Sequence, residues 1–196
     1  MFPYLSFLTF FPLAASAQAP KPPIKIGLIQ PYTGFLAVLG PETTKGLELF
    51  LAKVGGKAGG RELQLLKEDT EAKPDVGLTK TRKLVERDRV DALVGPMSSA
   101  VALAIRDYVH AQGIPLIVPA AFTRDLTAPG KASPWIFRIK ETTDQSNFNM
   151  GTWVFRKTQY RKLVVMATDF AGGRHSADAF IAAFKAAGGE IVKEIY

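Results

Sequence analysis

Short apolar runs alternate along the chain with segments whose apolar residues recur at helical spacing. After a first run at 24–29, Leu47, Phe50, Leu51 and Val54 follow the i, i+3, i+4, i+7 pattern of an amphipathic helix. The elements predicted in this part are strands at 24–29, 62–67, 90–94, 115–118 and 135–139, and helices at about 41–54, at 74–88 and at 99–111. Runs that are apolar throughout are typical of a parallel sheet that helices cover on both faces. This part is therefore predicted to be a doubly wound α/β domain.

The same rhythm of strands and helices restarts near residue 144. The elements predicted there are a helix to about 160, a strand at 163–166, a helix at 176–187 and a strand at 190–196. We therefore expect two α/β lobes, a first lobe at 20–141 and a second at 142–196. The second lobe is expected to be incomplete, because the sequence ends within its second strand.

The N-terminal segment has the features of an export signal. Residues 1–20 carry no charge, and the apolar run 7–15 is followed by Ala15-Ser16-Ala17, which fits the small-x-small pattern of a cleavage site. A signal peptide is predicted at 1–19, although the first basic residue is Lys21. A membrane anchor would need about 20 uninterrupted apolar residues, and the prolines at positions 3 and 12 disfavour it. We expect a periplasmic or other extracytoplasmic location, without stable membrane insertion after cleavage.

Composition excludes several kinds of site. The chain of 196 residues has no cysteine, and its two histidines, His110 and His175, lack the spacing of a metal motif. No Gly-x-Ser-x-Gly nucleophile elbow is present. The net charge is +7, but the basic residues of 80–89 alternate with acidic ones, which is typical of a solvated helix face. We expect no enzymatic activity, no cofactor, no metal and no nucleic-acid partner.

The carboxyl ends of the predicted parallel strands are the expected place for a ligand. The segment Gly95-Pro96-Met97-Ser98-Ser99 leads from the third strand directly into a helix. Free N–H groups at that helix start, together with a serine hydroxyl, suit a carboxylate or another small anion. In the alternative interpretation, Ser98 or Ser99 only caps the helix.

Several short motifs together resemble a known family. They are the run 24–29 with Thr33-Gly34, Gly59-Gly60-Arg61-Glu62-Leu63, Glu68-Asp69-Thr70, the run 92–96, Gly113-Ile114-Pro115, Pro119-Ala120-Ala121 with Asp125-Leu126-Thr127, and Trp135-Ile136-Phe137-Arg138. In order and spacing they are similar to the type I periplasmic binding proteins of the leucine/isoleucine/valine-binding family. The resemblance covers nearly all of the chain after the predicted signal, and it implies that family's α/β fold of two doubly wound parallel-sheet lobes.

The resemblance implies an extracytoplasmic solute-binding protein. Such a receptor closes its lobes around an amino acid or a related carboxylate and delivers it to the permease subunits of an ABC importer. The same fold also serves as the ligand-binding sensor domain of receptors and regulators, which is the alternative function. An enzyme of similar α/β shape is a third possibility. Retention of a membrane segment would favour the sensor, and product formation would favour the enzyme.

The resemblance also implies a set of ligand-binding residues in the first lobe. Ser99 matches the serine that meets the ligand carboxylate, and Ala120 and Ala121 match residues that offer backbone contacts. Phe122 and Thr123 fall where amino-acid binders carry a threonine that holds the ligand. A phenyl ring at Phe122 removes that hydroxyl, unless Thr123 substitutes for it, and adds an apolar or stacking wall.

Two further positions bear on the ligand. Leu39 stands where the branched-chain amino-acid receptors have a tyrosine. In the second lobe, residues 169–173 resemble the family's Asp-Tyr-x-x-Gly loop, which places Phe170 and Gly172 at the cleft. The changes at Leu39 and Phe122 shift the expected ligand from ordinary amino acids toward aromatic or other apolar carboxylates.

Overall fold

The first lobe is built on one sheet. A computed structural model describes residues 21–196, so the predicted signal peptide at 1–19 and its cleavage site lie outside the described residues. The strands are β1 (Ile24–Gln30), β2 (Lys57–Ala58), β3 (Arg61–Asp69), β4 (Ala92–Val94), β5 (Leu116–Val118) and β6 (Ile136–Arg138). Their spatial order is β2-β3-β1-β4-β5-β6, and all neighbours are parallel except the pair β2 and β3.

Helices lie on both faces of this sheet. They are α1 (Leu39–Lys53), α2 (Pro74–Arg82) and α3 (Ser99–Gln112). On the face of α2 and α3, Val101 and Ile105 pack with Ile29 in a core that solvent does not reach. Side chains alternate between the two faces along a strand, and Ile26 accordingly faces α1 on the other side, where it shares a groove with Leu47. The first lobe is the doubly wound α/β arrangement that the sequence predicts.

The predicted apolar stripe of α1 is only partly buried. Leu47 and Leu51 are half-buried against the sheet, whereas Phe50 and Val54 are 58% and 41% exposed. A helix about 10 Å wide leaves part of a sheet with strands about 4.8 Å apart uncovered, so this stripe lies at the edge of an open groove that Phe50 also lines. The groove beside α1 extends across the sheet to Ile139, which directly follows the edge strand β6.

Two local features differ from the sequence prediction. The glycine-rich stretch 55–60 is more than a loop, because β2 pairs with β3 in a short antiparallel hairpin. Gly59 and Gly60 form its turn with φ angles of 56° and 75°, a region that glycine enters without steric cost. The helix predicted at 74–88 is divided, since α2 ends at Arg82 and a π-helical turn follows at Lys83–Arg87.

The second lobe contains two helices and two parallel strands in the described residues. They are α4 (Thr143–Lys157), β7 (Lys162–Met166), α5 (Ala171–Ala186) and β8 (Glu190–Ile195). The helices pack closely at Gly151, where an added Cβ would lie 2.8 Å from Phe184 N and 2.9 Å from Ala183 Cβ. The helix predicted at 176–187 begins five residues earlier, at Ala171. Residues 171–173 are therefore the first turn of α5, and the prediction that they form a loop is wrong.

Candidate functional site

A cavity of about 400 Å³ lies between the two lobes, at the carboxyl ends of the strands. Loops after β1, β4 and β5 form its first-lobe wall, and the loop after β7 with the start of α5 forms the opposite wall. This is the edge at which open parallel sheets bind ligands. The lining residues are Leu36, Leu39, Met97, Ser99, Phe122, Ala167, Thr168, Phe170, Gly172, Gly173 and Ser176.

Two adjacent serines at the start of α3 have different roles. Ser98 is the N-cap residue, and its hydroxyl accepts a hydrogen bond from the Val101 N–H at 3.4 Å. Ser99 lines the cavity although it is only 2% exposed. Since Ser98 provides the cap, the hydroxyl of Ser99 is available to a ligand.

The start of α5 faces the start of α3 across the cavity. A Cβ at Gly172, in the first turn of α5, would lie 3.3 Å from Ser99 Oγ and 2.8 Å from Phe170 Cε2. The absence of a side chain therefore permits this close approach of the two helix starts. The first N–H groups of a helix have no partner within it, and the helix dipole adds partial positive charge there. Two helix starts beside one hydroxyl can hold a carboxylate without a cationic side chain.

The other walls of the cavity are mainly apolar. Phe122 belongs to the first-lobe wall, and Phe170 of the second lobe packs against Phe35, with ring centroids 5.8 Å apart and planes at 59°. Lys140 Nζ lies 5.5 Å from the centroid of the Phe122 ring and contributes positive potential beside the site. In the part of the chain that the structure describes, no charged side chain lines the cavity itself.

The loop that leads to Leu39 is held by Asp69. The carboxylate of Asp69 accepts hydrogen bonds from the Glu71 N–H at 2.8 Å, the Thr33 hydroxyl at 2.7 Å and the Tyr32 N–H at 2.9 Å. Burial raises the pKa of Asp69, but these hydrogen bonds outweigh it and hold the pKa below its ordinary value of 3.8. Asp69 is therefore ionised at neutral pH and fixes the loop in place.

The structure brings only some of the predicted site residues together. Ala121 is fully buried in the core of the first lobe, Ala120 is half-buried, and neither lines the cavity. Thr123 is also fully buried, and its hydroxyl lies 3.1 Å from His175 Nδ1 of the second lobe. The predicted residues that do line the cavity are Leu39, Ser99, Phe122, Phe170 and Gly172.

Six lining residues were not singled out as ligand-binding residues from the sequence, although the predicted ligand-edge segments contain Met97 and Gly173. They are Leu36, Met97, Ala167, Thr168, Gly173 and Ser176. Ser176 follows Gly172 by four positions and therefore shares its helix face, a relation that becomes visible once the start of α5 is known. Met97 stands between the strand end and Ser98, in a segment that the sequence marked for its serines alone. The loop residues Leu36 and Thr168 belong to no periodic pattern that would have identified them.

Arg138 supports the site from outside the cavity. Its Nη1 donates to the Thr123 carbonyl at 3.0 Å, and its Nη2 donates to the Thr127 hydroxyl. Desolvation lowers the pKa of the Arg138 guanidinium, although an arginine remains charged in proteins. The guanidinium thus holds the loop after β5 and does not line the cavity.

The described residues also bear on metal binding and membrane insertion. No group of three or more histidine, aspartate or glutamate side chains among residues 21–196 is placed to hold a metal ion. Within the same residues, every helix is too short or too polar to cross a bilayer. The hydroxyl-bearing residues that line the cavity are Ser99, Thr168 and Ser176.

Known proteins are similar to this chain in both sequence and fold. The family model described as periplasmic binding protein matches residues 23–196. The chain is 29% identical to the Leu/Ile/Val-binding protein homolog 6 of Brucella abortus (strain 2308) over 192 residues, which cover 97% of this chain and 48% of that protein. The chain thus spans about half the length of the curated relatives it matches.

Two solved structures of solute-binding proteins of ABC transporters are also similar. One, from R. palustris and in complex with benzoate, has a TM-score of 0.83 and 34% identity, with 88% of this chain and 48% of that chain covered. Another, from Rhodopseudomonas palustris BisB5 and in complex with 3,4-dihydroxybenzoic acid, has a TM-score of 0.81 and 30% identity, with 88% and 46% covered. These relatives are binding proteins of transporters and not enzymes. The chain belongs to the periplasmic binding protein family.

Proposed function

We propose that the chain is part of an exported solute-binding protein that takes a small aromatic carboxylate into the cavity between its lobes. The protein would then deliver this ligand to the permease subunits of an ABC importer. The observation that supports this most is the composition of the cavity wall. Ser99 and two helix starts lie at one side, the rings of Phe122 and Phe170 belong to the walls, and no charged side chain lines the described part.

The lining favours a carboxylate without an ammonium group. Burial of an ammonium is costly unless an acidic group or several acceptors compensate it, and the described lining contains no acidic side chain. The threonine hydroxyl expected to hold an amino acid is engaged instead, because Thr123 is fully buried beside His175. The helix starts with the Ser99 hydroxyl suit the carboxylate end of a ligand.

An aromatic ring suits the remaining walls. Aromatic pairs are favourable with centroids about 4.5–7 Å apart in tilted or offset arrangements, and Phe122 and Phe170 both line the cavity. The benzoate and dihydroxybenzoate complexes of the two relatives at 34% and 30% identity support the same ligand class.

Closure of the lobes supplies the binding mechanism in this proposal. Ligand contacts come from both walls, so they are complete only when the lobes are together. A ligand that binds the closed form better shifts the population toward it. An importer would then distinguish the loaded receptor by its closed shape.

A calorimetric panel tests the ligand class. Benzoate, 4-hydroxybenzoate and 3,4-dihydroxybenzoate are compared with benzamide, cyclohexanecarboxylate, leucine and phenylalanine, using the full chain. We expect the aromatic carboxylates to bind most tightly, with benzamide weaker because it lacks the charge. Tighter binding of leucine or phenylalanine than of any benzoate would refute the proposed ligand class.

Two adjacent variants test the carboxylate anchor. Ser99→Ala should weaken benzoate binding by about 1–3 kcal/mol, roughly 5- to 150-fold, because it removes a buried hydrogen bond to a charged group. Ser98→Ala is the matched control, since it removes the helix cap and should lower stability by about 1 kcal/mol while affinity is kept. Unchanged affinity in Ser99→Ala would eliminate that hydroxyl as the anchor.

A further inference from the structure

One face of α5 rests on the first lobe. Gly172 approaches Ser99, and Ser176 lines the cavity. His175 lies beside them, because residues three and four positions apart share a helix face. The position of this face therefore determines how the two helix starts meet at the carboxylate end of the cavity.

His175 contacts two groups of the first lobe through its two ring nitrogens. Nδ1 lies 3.1 Å from the Thr123 hydroxyl oxygen, and Nε2 lies 3.9 Å from Asp125 Oδ2. The His175 side chain is only 18% exposed. Asp125 in turn has the basic groups of Arg124 and Lys131 within 4.0 Å and 3.9 Å, so its charge is shared among several partners. The contact with Thr123 is the shorter and the more buried of the two.

Thr123 is held rigidly on its own side. It is fully buried, and its carbonyl accepts hydrogen bonds from Arg138 Nη1 at 3.0 Å and from the Leu126 N–H at 3.4 Å. A hydroxyl on such a fixed backbone needs little ordering when a partner arrives. This lowers the entropic cost of the hydrogen bond.

Two other side-chain contacts between the lobes are more exposed. Arg124 Nη1 lies 3.3 Å from Asp144 Oδ2, but the two side chains are 50% and 37% exposed, and ion pairs of that kind contribute little. Phe35, which packs on Phe170, is 66% exposed. Compared with these two contacts, the Thr123–His175 hydrogen bond is better shielded from solvent.

We propose that Thr123 and His175 form a latch that holds the lobes together around the ligand. His175 is a positioning residue in this proposal, which rests on the proposed function for its link to ligand binding. The hydrogen bond exists only when the lobes meet, so it stabilises the closed form and not the fold of either lobe. It also keeps the Thr123 hydroxyl away from the ligand, which disfavours amino acids that would use it.

A double-mutant cycle on the full chain tests the latch by calorimetry with benzoate. Thr123→Val and His175→Ala should each weaken binding about three- to tenfold, the range expected for one hydrogen bond. The double variant should bind benzoate with about the affinity of the weaker-binding single variant, because both changes remove the same hydrogen bond. Thr123→Ser retains the hydroxyl and should bind within about twofold of the unchanged chain.

The matched control is the other histidine. His110 is exposed and its ring contacts Ser133 within the first lobe, so His110→Ala should leave benzoate affinity unchanged. Unfolding temperatures without ligand should also be the same in the latch variants. Additive effects in the double variant, or unchanged affinity in both single variants, would overturn the latch.

Distances between spin labels make the test independent of the ligand. The chain has no cysteine, so Lys53→Cys and Lys193→Cys provide one exposed label on each lobe. Thr123→Val and His175→Ala should both shift the distance distribution away from its shortest population, with or without benzoate. Distributions identical to those of the labelled parent chain would overturn the latch. Failure of the parent chain to bind any benzoate would refute the proposed ligand class, and the label distances would still decide on the latch.

Discussion

Gly172→Ala is expected to reduce ligand affinity by obstructing the approach of the two helix starts. The added methyl group would lie 2.8 Å from Phe170 Cε2, whereas favourable contacts between carbons are about 3.5–4.0 Å. It would also lie 3.3 Å from Ser99 Oγ, on the opposite lobe. The Phe170 ring can move, but only by disturbing its packing on Phe35.

The magnitude follows from the cost of overpacking. Inserting a methyl group into a packed site costs about 1–3 kcal/mol. Because the Phe170 ring can move, we expect the cost to lie in the lower half of that range. A penalty of about 1–2 kcal/mol on the closed form corresponds to a loss of affinity of roughly 5- to 30-fold. Stability of the second lobe should be kept or slightly raised, because alanine is favoured over glycine in a helix.

Calorimetry with benzoate and thermal unfolding without ligand together test this reasoning. Gly46→Ala is the matched control, since no atom lies within 4 Å of the added Cβ in α1, and it should leave affinity unchanged. Gly173→Ala should behave differently, because its Cβ would meet the Thr168 carbonyl within the same lobe and should lower stability. Affinity equal to that of the unchanged chain in Gly172→Ala would refute the close approach of α3 and α5.

Three further predictions concern stability and selectivity. Gly151→Ala should destabilise the second lobe by about 1–3 kcal/mol in denaturant titrations, because its Cβ would lie 2.8 Å from Phe184 N; an unchanged midpoint would contradict the close packing of α4 on α5. The pKa of Asp69 is lowered in the folded state, so the stabilisation from its ionised carboxylate is present above pH 3.8 and is lost as the pH falls below that value. Asp69→Asn should reduce this acid dependence in unfolding experiments at pH 2–6, and an unaltered pH profile would count against it. Phe122→Leu should weaken benzoate more than cyclohexanecarboxylate in calorimetry, and an equal loss for both would argue against a stacking role for the ring.

The course of the backbone in the first lobe was predictable because its signals are local. The all-apolar run at Leu116–Val118 is typical of a strand in a parallel sheet, and the helix start after Ser98 is marked by its capping residue. In the second lobe, by contrast, the predicted start of α5 was five residues too late. Its first turn consists of alanine and glycines, which carry neither an apolar period nor a side-chain cap.

The candidate site was predictable in part, through motifs and not through contacts. Ser99, Phe122 and Phe170 were identified from the resemblance, and they do line the cavity. Ala121 and Thr123 were identified on the same basis but are fully buried outside it. Sequence position places a residue in a loop, whereas its orientation depends on the surrounding packing.

The sequence by itself determined the alternation of strands and helices, the family, and the placement of a serine-rich helix start at the carboxyl ends of the strands. These properties depend on periodicity, capping and short motifs, which act within a few residues. Only the tertiary structure decided that Ser99 lines a cavity between the lobes, and that Thr123 lies against His175. These assignments require two lobes that are far apart in sequence to be placed against each other, and contacts of that kind leave no periodic signal in the chain.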